Sequence, residues 1–175
     1  MKKWCLFLSL YMLVCCLAAC GAVEKEPVPP PVASAEAPEE PVSEKLALYR
    51  QVLEDLWTTD SGLNEDVSII GVDLSSTSLT GQEQSALAEE FAAAHGIELV
   101  EGTWQELCDA GYIDVENLYW AEGCHFSITE REGSTLAFDA QKWRSGLGAY
   151  FFSNCTAAQS ESGEWTYTVG VHAIS

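Results

Sequence analysis

Beyond residue 43, apolar positions recur with two different periods, and the change of period divides the chain. Leu46, Tyr49, Leu53, Leu56 and Trp57 follow one another at helical spacing. Ser43 ahead of them has N-cap chemistry, so the pattern predicts an amphipathic helix running to about Thr58. Asp60-Ser61-Gly62-Leu63-Asn64-Glu65-Asp66 breaks it. Val67 to Asp73 is rich in β-branched residues and reads as a strand. A Ser/Thr loop follows, and Thr80 and Glu83 then have the spacing of a capping box. Leu87, Phe91 and Ala94 supply the apolar stripe of a second helix. His95-Gly96 closes it with a basic residue in the last turn and then a glycine. Thr103 and Glu106 form a second capping box and open a short helix that ends at Gly111.

From residue 124 the period is two. Cys124, Phe126 and Ile128 share one face of a strand, which leaves His125 on the other, polar face. Glu130 to Ser134 is a turn, and Thr135-Leu136-Ala137-Phe138 returns. Leu147 to Ala158 is long and apolar on both faces in its first half, the pattern of an interior strand. Ser160-Glu161-Ser162-Gly163 turns the chain again. Trp165, Tyr167, Val169 and Val171 then alternate with Thr166, Thr168, Gly170 and His172, which predicts one continuous final strand. The fold class expected is α+β: three helices packed on one face of a curved, mainly antiparallel C-terminal sheet.

The first 42 residues are of another kind. Met1-Lys2-Lys3 precedes an apolar run that ends in Leu17-Ala18-Ala19-Cys20-Gly21. The run is too short to span a bilayer comfortably. This segment resembles a bacterial lipoprotein signal with its lipobox. The resemblance implies a signal peptide over residues 1–19, cleavage ahead of Cys20, and a diacylglyceryl group on the Cys20 thiol. Two acyl chains anchor a protein stably where one does not. The expected localisation is therefore the extracytoplasmic face of a bacterial membrane, held through Cys20. All six prolines lie between Cys20 and Ser43, among Glu, Ala and Val and with no aromatic residue. Residues 20–42 thus read as the lipidated cysteine and a disordered, acidic spacer, unable to bury a core. Extended at ~3.1 Å per residue, about 20 such residues reach on the order of 60 Å. Residues 43–175 make one domain.

Charge narrows the partners. The formal net charge is −19, and loss of Lys2 and Lys3 with the signal makes it more negative. Such a surface repels nucleic-acid phosphates and anionic headgroups, so nucleic-acid binding is not expected. With Cys20 lipidated, Cys108, Cys124 and Cys155 remain, which allows at most one disulfide. A Cys124–Cys155 bridge and two buried free thiols both fit the pattern.

No catalytic set is spelled out. Ser145-Gly146-Leu147-Gly148 lacks the flanking pattern of a serine nucleophile and any paired histidine. Cys108 and Cys155 have no His or basic neighbour in sequence. His95, His125 and His172 show no metal-ligand spacing. Two places carry binding chemistry. Trp143 and Arg144 set a scarce cation beside an aromatic ring, a pairing that receives carboxylates. Asp60, Asn64 and Asp66 gather oxygen ligands in a Gly-containing loop, as calcium requires, although no bidentate Glu closes the set. The same residues also suit a helix-terminating turn with Gly62 or Asn64 at positive φ.

Trp143-Arg144-Ser145-Gly146-Leu147-Gly148-Ala149-Tyr150 runs towards Gly163-Glu164-Trp165, and with Asp60-Ser61-Gly62-Leu63-Asn64 it resembles small secreted α+β proteins of Firmicutes. In those proteins a glycine-marked strand pairs with a strand opened by a Gly-x-Trp turn. The resemblance implies a fold and no activity. The functional expectation is a non-enzymatic binding or accessory module without a cofactor, its protein or small-molecule ligand unspecified. A small cell-envelope hydrolase is the alternative, and it would need a pocket holding His or paired carboxylates.

Overall fold

The computed structural model describes residues 44–133 and 135–175. The signal, Cys20, the spacer and Ser43 lie outside them. The described residues carry helices α1 (Lys45–Thr58), α2 (Gly81–His95) and α3 (Trp104–Asp109). The strands are β1 (Ile69–Ser76), β2 (Glu98–Glu101), β3 (Gly123–Arg131), β4 (Ala137–Ser145), β5 (Gly148–Gln159), β6 (Trp165–Thr168) and β7 (Val171–Ile174). They form one open, seven-stranded sheet in the order β2-β1-β3-β4-β5-β6, with β7 also pairing β5. The class is α+β. β1 pairs parallel with both β2 and β3, and every later pair is antiparallel.

α1 and α2 cover one face of the sheet. Leu48, Val52, Leu53 and Leu56 of α1 and Leu87, Ala88 and Phe91 of α2 meet Ile70, Val72, Phe126, Ile128, Phe138 and Phe152 in a continuous buried core. Both expected capping boxes are present. Thr80 and Thr103 each accept from the N3 amide while Glu83 and Glu106 each reach back to the cap amide. His95 stands in the last turn of α2 and Gly96 closes it at φ 66°.

Two features depart from the pattern. First, α3 lies on the opposite face from α1 and α2. Leu107 packs there with Ile113, Trp120, Trp143 and Ala149 in a second, smaller cluster. This is possible because β1 and β3 present glycines on that side. A Cβ on Gly123 would fall 1.9 Å from the Trp120 ring, and one on Gly71 2.7 Å from Leu107 Cδ1 and 3.1 Å from Trp120. The glycines let an indole and a helix lie directly on the backbone. Second, the final strand is broken. β6 pairs the end of β5 and β7 pairs its beginning. Asn154 of β5 adopts φ 55° between them, and Gly170 approaches its carbonyl so closely that a Cβ would lie 2.7 Å away. The pairing keeps one register across the break, but the buried face ends there: every residue from Val171 to Ile174 is exposed.

Candidate functional site

The parallel part of the sheet sets up a concavity. β1 leads into α2 on one face. Its neighbour β2 leads into α3 on the other. Where connections from adjacent parallel strands depart to opposite faces, a crevice opens beyond the strands' carboxyl ends. A cleft of about 230 Å³ lies there, between the ends of β1 and β2, the side of α2 and the start of α3. Its apolar surface comes from Val72, Leu74 and Ala88, and its polar surface from Asp73, Gln84, Glu101, Thr103 and Glu106.

Local hydrogen bonds aim these acids. Asp73 Oδ1 accepts from the Ser75 amide at 3.0 Å and from the Ser75 hydroxyl at 2.6 Å. Glu101 Oε2 accepts from the Ser85 hydroxyl at 2.7 Å, which ties α2 to the end of β2. Glu106 Oε2 accepts from the Thr103 amide and hydroxyl, both at 2.8 Å. Those bonds hold the Glu106 carboxyl below the usual carboxylate range. In each acid one oxygen is fixed and the second accepts no hydrogen bond among the described residues. No basic side chain lines the cleft. No lysine or arginine occurs anywhere between Arg50 and Arg131. The three carboxylates are also too dispersed to form a metal-ligand group, and no such group of three or more occurs among the described residues. Spread negative charge over an apolar floor is complementary to an organic cation: an alkylammonium or guanidinium with its hydrocarbon stem.

Behind the cleft stands His125. The residue is 1 % exposed, and neither ring nitrogen makes a well-formed hydrogen bond, the Gly102 backbone being the polar group the ring approaches. Its ring meets Trp104 edge-to-face, with centroids 5.8 Å apart, and lies against Gly71. Asp73 and the Gly102 backbone, both lining the cleft, are the polar groups that favour its charged form. Burial outweighs them and pushes the imidazole down to about 4. The face expected to be polar is therefore buried here, because α3 and Trp120 cover it.

The residues singled out in the sequence fall elsewhere. Trp143 and Arg144 leave β4 on opposite faces, so they do not share a surface. Trp143 is 9 % exposed and packs against Trp104 with centroids 4.2 Å apart. The Arg144 guanidinium donates to the carbonyls of Leu63, Glu65 and Ala121, binding two loops to the sheet. The Asp60–Asp66 loop does gather oxygen around a cation, and that cation is the ammonium of Lys142. It donates to the carbonyls of Trp57, Thr59 and Asp60 and to Asn64 Oδ1, while Asn64 Nδ2 donates to the Trp57 carbonyl. Positive φ falls on Asp60 and Asp66 in place of Gly62 or Asn64. The ammonium satisfies carbonyls that the end of α1 leaves without intrahelical partners. Burial lowers the proton affinity of Lys142.

The three histidines do not converge. His95 stacks on Trp57 at 4.1 Å and contacts Glu54 at 3.2 Å, His125 is on the α3 face, and His172 lies on β7 beside Tyr150. Cys108, Cys124 and Cys155 are free thiols in the structure. Burial pushes Cys124 up to about 12 and Cys155 up to about 11, which makes both poor nucleophiles. No described helix is long and apolar enough to cross a membrane. Set against known protein families, curated proteins and solved structures, the chain matches none.

Proposed function

We propose that this chain is a lipid-anchored extracytoplasmic binding module that takes up an organic cation in the cleft between β1 and β2. The single observation that carries the binding role is the cleft's lining: three dispersed carboxylates around an apolar floor, with no basic side chain. The anchoring rests on the sequence Leu17-Ala18-Ala19-Cys20. The volume, below the roughly 300 Å³ at which sites for larger ligands begin, suits one alkylammonium or guanidinium group and its stem. A strongly acidic domain attracts such a ligand over distance, and the cleft selects it by shape on arrival.

Two measurements test the two halves. Metabolic labelling with a fatty acid should mark the wild-type chain and not Cys20→Ala; label retained by the variant would overturn the anchor. Calorimetric titration of the chain with Nα-acetyl-lysine amide and Nα-acetyl-arginine amide should give saturable binding. Asp73→Asn should weaken it about fivefold, the loss expected for one charged contact of about 1 kcal/mol. Neutral Nα-acetyl-norleucine amide binding as tightly as the lysine derivative would reject the cation reading.

A further inference from the structure

A second surface lies at the other end of the sheet. β1 and β3 begin there, and β4 turns into β5 through Gly146-Leu147. Leu147 at the tip is 92 % exposed. Beside it the segment 114–119 folds back on itself, with Asp114 and Tyr119 exchanging backbone hydrogen bonds of 2.9 and 3.1 Å. That segment is fastened to the hairpin. The Gly146 amide donates to the Leu118 carbonyl at 2.8 Å, and Tyr119 bridges to Ser145. Val115, Leu118, Tyr119 and Tyr112 join Leu147 as large apolar side chains left exposed, at 57, 50, 43 and 39 %. Elsewhere among the described residues only Val171 and Ile174 of β7 are large, apolar and exposed. Scattered exposed apolar residues are ordinary; five on two interlocked turns make a patch.

The surroundings of this patch specify what covers it. Asp114 and Glu116 belong to the turn itself. Glu65 and Asp66 are drawn alongside by Arg144, which binds the carbonyls of Leu63 and Glu65. Arg144 is the one basic residue in these segments, and its guanidinium is occupied by backbone. An apolar centre with an acidic rim is complementary to an apolar surface with a basic rim. A second copy of the chain would bring like charge against like, and an anionic bilayer would be repelled.

We infer that the Tyr112–Tyr119 turn and the Leu147 hairpin form a docking surface for a protein partner that presents apolar side chains flanked by lysine or arginine. The turns are held by backbone hydrogen bonds before any partner arrives, so docking orders little of this chain.

The probe is an amphipathic peptide of leucine and lysine, added to the isotopically labelled full chain and followed by amide chemical shifts. Shifts should concentrate on residues 112–119 and 146–148. Leu147→Ser, a change at an exposed position that leaves the fold intact, should weaken binding about tenfold. Raising salt from 0.05 to 0.5 M, ionic strengths that shorten the screening length several-fold, should weaken it further. Asp73→Asn in the cleft should leave the shifts at residues 112–119 and 146–148 unchanged, which separates this surface from the cation site. Four results would overturn the inference: shifts mapping elsewhere, equal binding by a leucine–glutamate peptide, tighter binding to phosphatidylcholine vesicles than to the peptide, or a dimer that Leu147→Ser dissolves.

Discussion

The two faces of the sheet are built differently. Under α1 and α2 the strands contribute Ile70, Val72, Phe126, Ile128, Phe138 and Phe152, and the one charge buried among them, Lys142, has four acceptors. Under α3 the strands contribute Gly71, Gly123, His125 and Trp143, and the imidazole buried among them makes no well-formed hydrogen bond. The first face is large, apolar and satisfied. The second is small, relies on glycine for close contact, and adjoins the acidic cleft. Stability is concentrated on one side of the sheet, and the acidic cleft opens at the strand ends beside the other.

That asymmetry predicts an order of effects. Phe126→Ala on the large face should cost most, about 4 kcal/mol, since Phe126 is fully buried and touches Phe91 and Trp57. Urea unfolding would measure it, and a loss under 2 kcal/mol would mean that this face is not the main store of stability. Lys142→Met comes next. Methionine fills similar space and leaves the Thr59 carbonyl without its donor, while Trp57 and Asp60 keep only Asn64 and the Leu63 amide, at a cost of about 3 kcal/mol. Addition of calcium should not restore what this variant loses.

On the small face, Gly123→Ala forces Trp120 off the strand. Overpacking of this kind costs about 1–3 kcal/mol, and α3 should loosen before the rest of the domain. Hydrogen exchange would read this as lost protection at Leu107 and Ile113 with α1 unaffected. Uniform loss across the domain would show that the two faces unfold as one unit.

His125 allows the same face to be broken with protons. Its folded-state value of about 4 lies below the ordinary 6.5, so the unfolded chain binds the proton more readily. The stabilisation is present above 6.5 and is lost as pH falls towards 4. Between pH 7 and 4.5 the unfolding free energy should drop by about 2–3 kcal/mol, and His125→Leu should flatten that part of the profile. Glu130 titrates below this window. Hydrogen bonds from Tyr49 and Ser78 and the Lys45 ammonium overcome its partial burial and hold it at about 2, so its contribution is lost only as pH falls from 4.5 towards 2. A profile that stayed flat down to pH 4.5 in the wild type would contradict the buried imidazole.

The large face was legible in the sequence, and the small one was not, for a physical reason. Helical spacing in α1 and α2, alternation in β3 and the two-sided apolar run of β5 report a wide apolar surface directly. The parity of β3 was also legible, since Cys124, Phe126 and Ile128 do share a face. What alternation cannot report is whether the opposite face is wet. α3 has six residues and β2 four, too short for a period to declare which side they cover. The available signal was Gly71 and Gly123, two glycines inside strand segments, where something large must approach; Gly71 pairs with His125 and Gly123 with Ile69. Lys142 shares the parity of Phe138 and Ala140, one buried row, but a lysine on core parity is rare and its sequence gives no sign of the carbonyls that receive it. The cleft escaped for another reason. Its acids come from β1, β2 and α3, and only the crossing of two chain connections brings them together.

The smallest effect on stability should come from the cleft itself, and there the comparison is sharpest. Asp73 is half-buried, and its Oδ1 bonds are local to Ser75. Asn keeps the side-chain oxygen for those bonds and removes the charge. Asp73→Asn should therefore change the unfolding free energy by less than about 0.5 kcal/mol, within the ordinary range for surface changes. The same substitution should weaken lysine-amide binding about fivefold. Arg144→Ala should do the reverse, loosening the 63–66 and 121–122 segments by about 1–2 kcal/mol while leaving cation affinity intact. Paired unfolding and titration curves for the two variants check both arms. A stability loss in Asp73→Asn as large as that in Arg144→Ala would make Asp73 a structural acid. The division between a side of the sheet that holds the fold and an end that meets ligands would then fail at the residue where it is most exposed to test.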